Sequence, residues 1–346
     1  MKFDFNDILI EPEVTTFISS RSTINPMYLN NNPEFIMHLP IIAAPMDTVV
    51  SAKNYDLFNN ANINVCLPRN EKVRKLDLLL TAGRMVFHSY SLTEVEQQFI
   101  KGTTQPPKYI LIDIANGHMQ PMMDAVQLLK QRYGNAIRIM AGNVAHPDAY
   151  KKLSLAGADF VRVGIGNGAG CLTTENTGIG YPMASLVREC YEVSCTINDA
   201  AKIVADGGMK SYSDIIKALA LGADYVMLGS ILNKTIESCG DNYLYGIKIS
   251  QDLAEKLFKN KWPIMKKFRG MSTKEVQKKW GKEKLTTSEG VVRFRKVEYT
   301  LKQWTDNFTD YLKSAMSYTN ATSLDEFIGK VKYNLITTNA YERYHK

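Results

Sequence analysis

Eight short apolar runs, each followed by a stretch with helical spacing, limit what this 346-residue chain can fold into. The runs fall at 41–44, 64–67, 85–88, 109–114, 138–141, 160–163, 202–205 and 225–228. Each is short, often β-branched and bounded by turn residues, which is the pattern of a parallel strand buried on both faces. Between them the spacing is helical; Met122, Ala125, Val126, Leu128 and Leu129 form one such stripe. Strand-helix alternation implies a parallel sheet, and about eight units predict an α/β fold closed as a (β/α)8 TIM barrel. An open doubly wound sheet is the alternative.

The eighth unit departs from the rhythm. After 225–228, residues 231–296 are rich in lysine and read as an irregular insertion. An amphipathic helix follows, with Leu301, Trp304, Phe308, Leu312 and Ala315 on one face. Long insertions in compact domains commonly serve as lids or flaps. The expected organisation is therefore one barrel domain over 1–346, with a flap at 231–296 and no regulatory domain.

Lys+Arg is 42 against Asp+Glu 35, a net charge of +7 spread along the chain. Such a balance suits an anionic small ligand and lacks the concentrated basic stripe of a nucleic-acid protein. No run approaches the ~20 apolar residues of a membrane span. The opening residues lack the basic-then-apolar layout of a signal peptide. Five cysteines without a CxxC pair argue against a disulfide framework or cysteine-rich zinc site, and for a reducing, cytoplasmic setting.

A barrel keeps its active site at the C-terminal ends of its strands. After the sixth run comes Gly164-Ile165-Gly166-Asn167-Gly168-Ala169-Gly170-Cys171-Leu172-Thr173. Its glycines let backbone groups crowd a ligand or ion. A dinucleotide motif would open a helix directly, whereas this loop runs on into Cys-x-Thr. Cys171 is either a nucleophile or a small core residue. Asp206-Gly207-Gly208 and Gly229-Ser230 follow runs seven and eight, where barrels bind phosphate. Asp206 is either a ribose acceptor or a turn cap. Asp113 is either a ligand acceptor or a helix cap. Glu289 taken alone reads as a solvated charge, with acid-base work on a lid as the other reading.

Together these residues resemble the IMP dehydrogenase/GMP reductase family over nearly the whole chain. The resemblance runs through Phe5-Asn6-Asp7-Ile8-Leu9-Ile10-Glu11-Pro12, Ser20-Arg21-Ser22, Ala44-Pro45-Met46-Asp47-Thr48-Val49, Met140-Ala141-Gly142-Asn143-Val144, the cysteine loop, Asp206-Gly207-Gly208, Val226-Met227-Leu228-Gly229 and Gly270-Met271-Ser272. The flap has no Arg-Tyr pair and resembles the GMP reductase branch, as do Thr177-Gly178-Ile179-Gly180-Tyr181-Pro182 and Ser288-Glu289-Gly290.

That resemblance implies NADPH-dependent reductive deamination of GMP, or of a related nucleotide such as dGMP, to IMP and ammonia through a covalent Cys171 thioimidate. Thr173 and Glu289 would relay the proton. Asp206, Gly207, Gly208, Gly229 and Ser230 would hold ribose and phosphate, and Gly270, Met271, Ser272, Ser288 and Gly290 the base. Arg69, Asp113, Ile114, Ala115, Ile165, Gly166 and Met271 would meet the nicotinamide end of NADPH. Ser20, Arg21, Ser314, Ala315, Met316 and Ser317 would reach the cofactor of a neighbouring copy in a homotetramer. Carbonyls of Gly166, Gly168 and Cys171 would hold potassium. The chain departs from the family pattern at Ala169, Gly170, Thr174, Pro68-Arg69 and Thr286. An IMP dehydrogenase without regulatory domains and a catalytically inactive nucleotide-binding protein are the competing readings.

Overall fold

The protein is described by a computed structural model covering residues 1–28, 37–69, 71, 84–281, 287 and 290–344. Eight parallel strands close on themselves: Ile41–Ala43, Asn64–Leu67, Val86–Tyr90, Tyr109–Asp113, Arg138–Val144, Phe160–Val163, Lys202–Asp206 and Tyr225–Leu228. Closure sets Ile41 opposite Val226 and Ala43 opposite Leu228, so the sheet is a barrel and not an open one.

Side chains alternate across each strand. Ile42, Cys66, Phe87, Leu111, Phe160, Val204 and Met227 belong to the cluster that fills the interior. Phe87 and Phe160 meet edge-on, with centroids 5.2 Å apart. Two residues further along their strands, Asp113, Arg162 and Asp206 therefore face the interior at the C-terminal mouth. The same alternation that packs the barrel thus delivers three charged groups to one place.

Helices cover the outside. Gln120–Tyr133 buries Met122, Ala125, Val126 and Leu129 against the barrel, while Leu128 is 45% exposed. At 100° per residue Leu128 sits about a third of a turn from the centre of that stripe. Leu301–Tyr318 buries Leu301, Trp304, Phe308 and Leu312, as its spacing predicts.

Residues 231–296 correct the expectation of an irregular insertion. They contain a four-stranded antiparallel sheet in the order Ile247–Ile249, Asn242–Leu244, Met265–Arg269, Val292–Lys296. Ile236, Ala254, Ile264 and Val297 form a small core beneath it. Lys266 is completely buried there and donates to the carbonyls of Ile236 at 2.7 Å and Ser238 at 2.6 Å. Burial pushes its ammonium down to about 8, against the pull of Cys239, Glu237 and Glu255. Among the described residues no helix is long and apolar enough to cross a membrane.

Candidate active site

A cleft of about 490 Å³ opens at the C-terminal mouth, between the glycine-cysteine loop, the Asp206-Gly207-Gly208 turn and the 231–296 sheet. Cys171 lines it and is half-buried, so the core reading of this cysteine does not hold. Its Sγ donates to Thr173 Oγ1 at 3.2 Å. The loop is tightened by Cys171 N–H donating to the Gly168 carbonyl at 2.9 Å. A Cβ on Gly207, whose φ is +92°, would come within 2.9 Å of the Gly168 nitrogen. Glycine there lets the turn after strand seven lie directly against the cysteine loop. Thr174 donates to the Ile179 carbonyl at 2.7 Å and packs against Gly166 and Gly180. It pins the segment that follows the cysteine.

Arg162 organises the floor of the cleft. Its Nη1 donates to Asp113 Oδ1 at 2.9 Å and its Nε to Asp206 Oδ2 at 3.0 Å. Asn143 also donates to Asp206 Oδ2, at 2.8 Å, and Arg69 Nε to Asp113 Oδ2, at 3.2 Å. Arg69 Nη2 further bonds the Asp113 carbonyl. Neither aspartate is a helix cap. Two arginines and two aspartates, with side chains 11–19% exposed, balance formally, as a largely buried cluster requires. Burial disfavours the Arg162 charge, yet Asp206 and Asp113 hold the guanidinium above its ordinary value. The apolar strand around Arg162 concealed it in the sequence; its position two residues past Phe160 was the available signal.

The 231–296 segment is fastened over the mouth by charge. Asp47, on the loop after strand one, accepts from Arg269 Nη2 at 2.5 Å and from Lys279 at 2.9 Å. Burial would raise the Asp47 carboxyl, but Arg269 and Lys279 hold it below its ordinary value. Glu275 pairs with Arg269 and, at 3.1 Å, with Lys267. The Arg69 guanidinium lies over the Trp280 ring, 4.6 Å from its centroid. Arg69 therefore joins the barrel floor to the overlying segment.

Most of the expected site residues share this cleft. Thr173, Asp206, Gly207, Gly208, Gly229, Ser230, Gly270, Met271 and Ser272 line it, as do Arg69, Asp113, Ile114, Ala115, Ile165, Gly166 and Gly168. Gly290 forms an antiparallel bridge with Cys171. Thr286, Ser288 and Glu289 lie outside the described residues. Ser20, Arg21, Ser314, Ala315 and Ser317 do not line the cleft. The turn Arg21–Thr23 instead packs against the helix Leu301–Tyr318, and Glu13 N–H bonds the Tyr318 carbonyl at 2.9 Å. The Met316 side chain is fully buried in the core. It falls on the same helix face as Leu312 and Trp304, which dock on the barrel. Among the described residues no three His, Cys, Asp or Glu side chains group as metal ligands.

A closed parallel barrel with a thiol on a glycine-rich loop, beside an acid-glycine-glycine turn at the next strand, defines a (β/α)8 barrel protein with a cleft at the C-terminal mouth of its strands. A family model described as IMP dehydrogenase / GMP reductase domain matches residues 103–346. The chain belongs to this family. It is 30% identical to a GMP reductase of Shewanella halifaxensis, covering 96% of this chain and 94% of that protein. It is likewise 30% identical to GMP reductase 2 of Homo sapiens, covering 97% and 95%. A GMP reductase of Caenorhabditis elegans is 27% identical, covering 99% and 94%.

Proposed function

We propose that this protein is an NADPH-dependent oxidoreductase that converts GMP, or a close relative such as dGMP, to IMP and ammonia. The observation that carries this reading is the Cys171–Thr173 contact of 3.2 Å at the mouth of a cleft walled by Asp206-Gly207-Gly208. The sulfur and the hydroxyl that would relay the proton lie within hydrogen-bond reach of each other.

The Cys171 thiolate attacks C2 of the purine. Thr173, with Glu289 as its carboxyl partner, passes a proton to the 2-amino group, which then leaves as ammonia. Protonation is essential because a free amide anion is a very poor leaving group. A thioimidate remains on Cys171. NADPH supplies a hydride to C2 when bound. The C–S bond then breaks, and the thiolate departs with its electron pair and leaves IMP. In sum, GMP, NADPH and two protons give IMP, NADP and ammonium.

Asp206 offers a carboxylate to the ribose hydroxyls, already oriented by Arg162 and Asn143. Gly207, Gly208, Gly229 and Ser230 present backbone N–H groups to the phosphate, and Met271 and Ser272 approach the base. A cleft of about 490 Å³ suits a nucleotide plus a nicotinamide ring. Its wall of Asp113, Ile114, Ala115, Ile165 and Gly166 would receive that ring. Ser20, Arg21, Ser314, Ala315 and Ser317 sit away from this cleft, which fits a role toward the NADPH of a neighbouring copy in a homotetramer. Carbonyl oxygens of Gly166, Gly168 and Cys171 suit a potassium ion, a hard cation that would stiffen the loop. Residues 231–296 act as a flap on a single barrel domain.

The test mixes purified protein with GMP or dGMP plus NADPH, and separately with IMP plus NAD, while nicotinamide absorbance and ammonia are followed. NADPH loss matched by ammonia release supports the proposal. NADH gain with IMP, or binding without turnover, refutes it.

A further inference from the structure

Three glycines from three separate stretches of chain meet beside Cys171. A Cβ on Gly170 would stand 3.1 Å from both Cα and N of Gly270 and 3.2 Å from the Phe268 ring. A Cβ on Gly270 would reach within 2.3 Å of the Gly170 carbonyl oxygen and 3.1 Å of Gly290 Cα. A Cβ on Gly290 would meet Ser272 Oγ and Thr273 Cγ2 at 3.1 Å. None of the three has a positive φ, so backbone conformation does not demand glycine at any of them. Closeness of approach excludes a Cβ at Gly270 and leaves only tight room for one at Gly170 and Gly290.

Backbone hydrogen bonds exploit that closeness. Val291 N–H donates to the Gly170 carbonyl at 3.2 Å, and Gly270 N–H to the Val291 carbonyl at 3.0 Å. Cys171 and Gly290 form the antiparallel bridge between them. The nucleophile loop is thus tied to the base of the flap by a single antiparallel bridge.

We infer that Gly170 is a positioning residue whose missing side chain lets the flap base at Gly270 and at Gly290-Val291 clamp the Cys171 loop backbone to backbone. The thiol holds its working position, and is shielded from solvent, only while that clamp is made. The catalytic part of this inference rests on the proposed function; the shielding part stands without it.

The test uses the full-length chain with Gly170→Ala and Gly170→Val, a graded pair that any ordinary backbone conformation accepts. Peptide-resolved alkylation with iodoacetamide follows Cys171, with the exposed Cys195 as internal reference. Cys171 labelling is expected to rise at least fivefold in Gly170→Val and by less in Gly170→Ala, with Cys195 unchanged. In turnover with GMP and NADPH, kcat is expected to fall tenfold or more in Gly170→Val, with KM for GMP within about threefold. An unchanged Cys171 labelling rate overturns the clamp, as does a general rise across all five cysteines with a lowered Tm. A wild type that labels as expected but turns over no GMP would instead refute the proposed function.

Discussion

Arg162 binds Asp113 through Nη1 and Asp206 through Nε, at 2.9 and 3.0 Å, so one guanidinium spans two acids at the ends of barrel strands four and seven. The fork geometry of arginine makes this possible, and a lysine could present only a point charge. Removing it leaves two largely buried carboxylates with Arg69 and Asn143 as their remaining described side-chain partners. Breaking one partner out of such a buried network costs about 3–5 kcal/mol. Arg162→Met is expected to lose stability on that scale in urea unfolding, and Arg162→Lys to recover only part of it. A loss below about 1 kcal/mol for Arg162→Met would contradict the bridging role.

Asp47 fastens the 231–296 segment to the barrel through Arg269 and Lys279. Its carboxyl is held below its ordinary value by Arg269 and Lys279, with burial opposing them. A depressed folded pKa contributes stability that is complete above the unfolded value of ~3.9 and lost as pH falls through the folded one. Asp47→Asn should therefore speed proteolytic nicking within 270–291 at neutral pH. The difference from wild type should vanish in acid well below pH ~4, where both side chains are neutral. Equal nicking rates at neutral pH would show that Asp47 does not hold the flap.

Arg69 and Trp280 join barrel and flap by a different force. A cation over an indole face contributes about 0.5–2 kcal/mol depending on solvation. A double-mutant cycle with Arg69→Lys and Trp280→Leu, read by NADPH affinity, is expected to give a coupling energy in that range. Arg69→Lys should itself weaken the cofactor, because it loses both the fork to Asp113 and the flat stack on Trp280. Additive single effects would leave the ring contact without a role in closing the cleft.

The eight barrel strands were legible because strands buried on both faces read as short continuous apolar runs, as 109–114 does. The cysteine loop and Asp206-Gly207-Gly208 were legible because glycine clusters at strand ends mark close backbone approach. The flap sheet was not. Its strand Met265–Arg269 reads MKKFR, and its buried Lys266 is indistinguishable in sequence from its surface neighbours. Pairings such as Arg269 with Asp47 or Gly170 with Gly270 join residues separated by about a hundred positions or more, which no local spacing can reveal. Within the Ser-Ala-Met-Ser stretch 314–317 Met316 alone is buried, and only packing decides that.

In the proposed mechanism, turnover depends on a covalent bond formed by the sulfur of Cys171. Replacing it by alanine removes that bond and little else, since the thiol is half-buried and its one described side-chain partner is Thr173. The decisive measurement is NADPH consumption with GMP by Cys171→Ala, alongside GMP binding by calorimetry. Turnover should fall to background while the dissociation constant stays within about tenfold, or ~1.4 kcal/mol. A Cys171→Ala protein that still consumed NADPH with GMP at a rate near wild type would contradict the account.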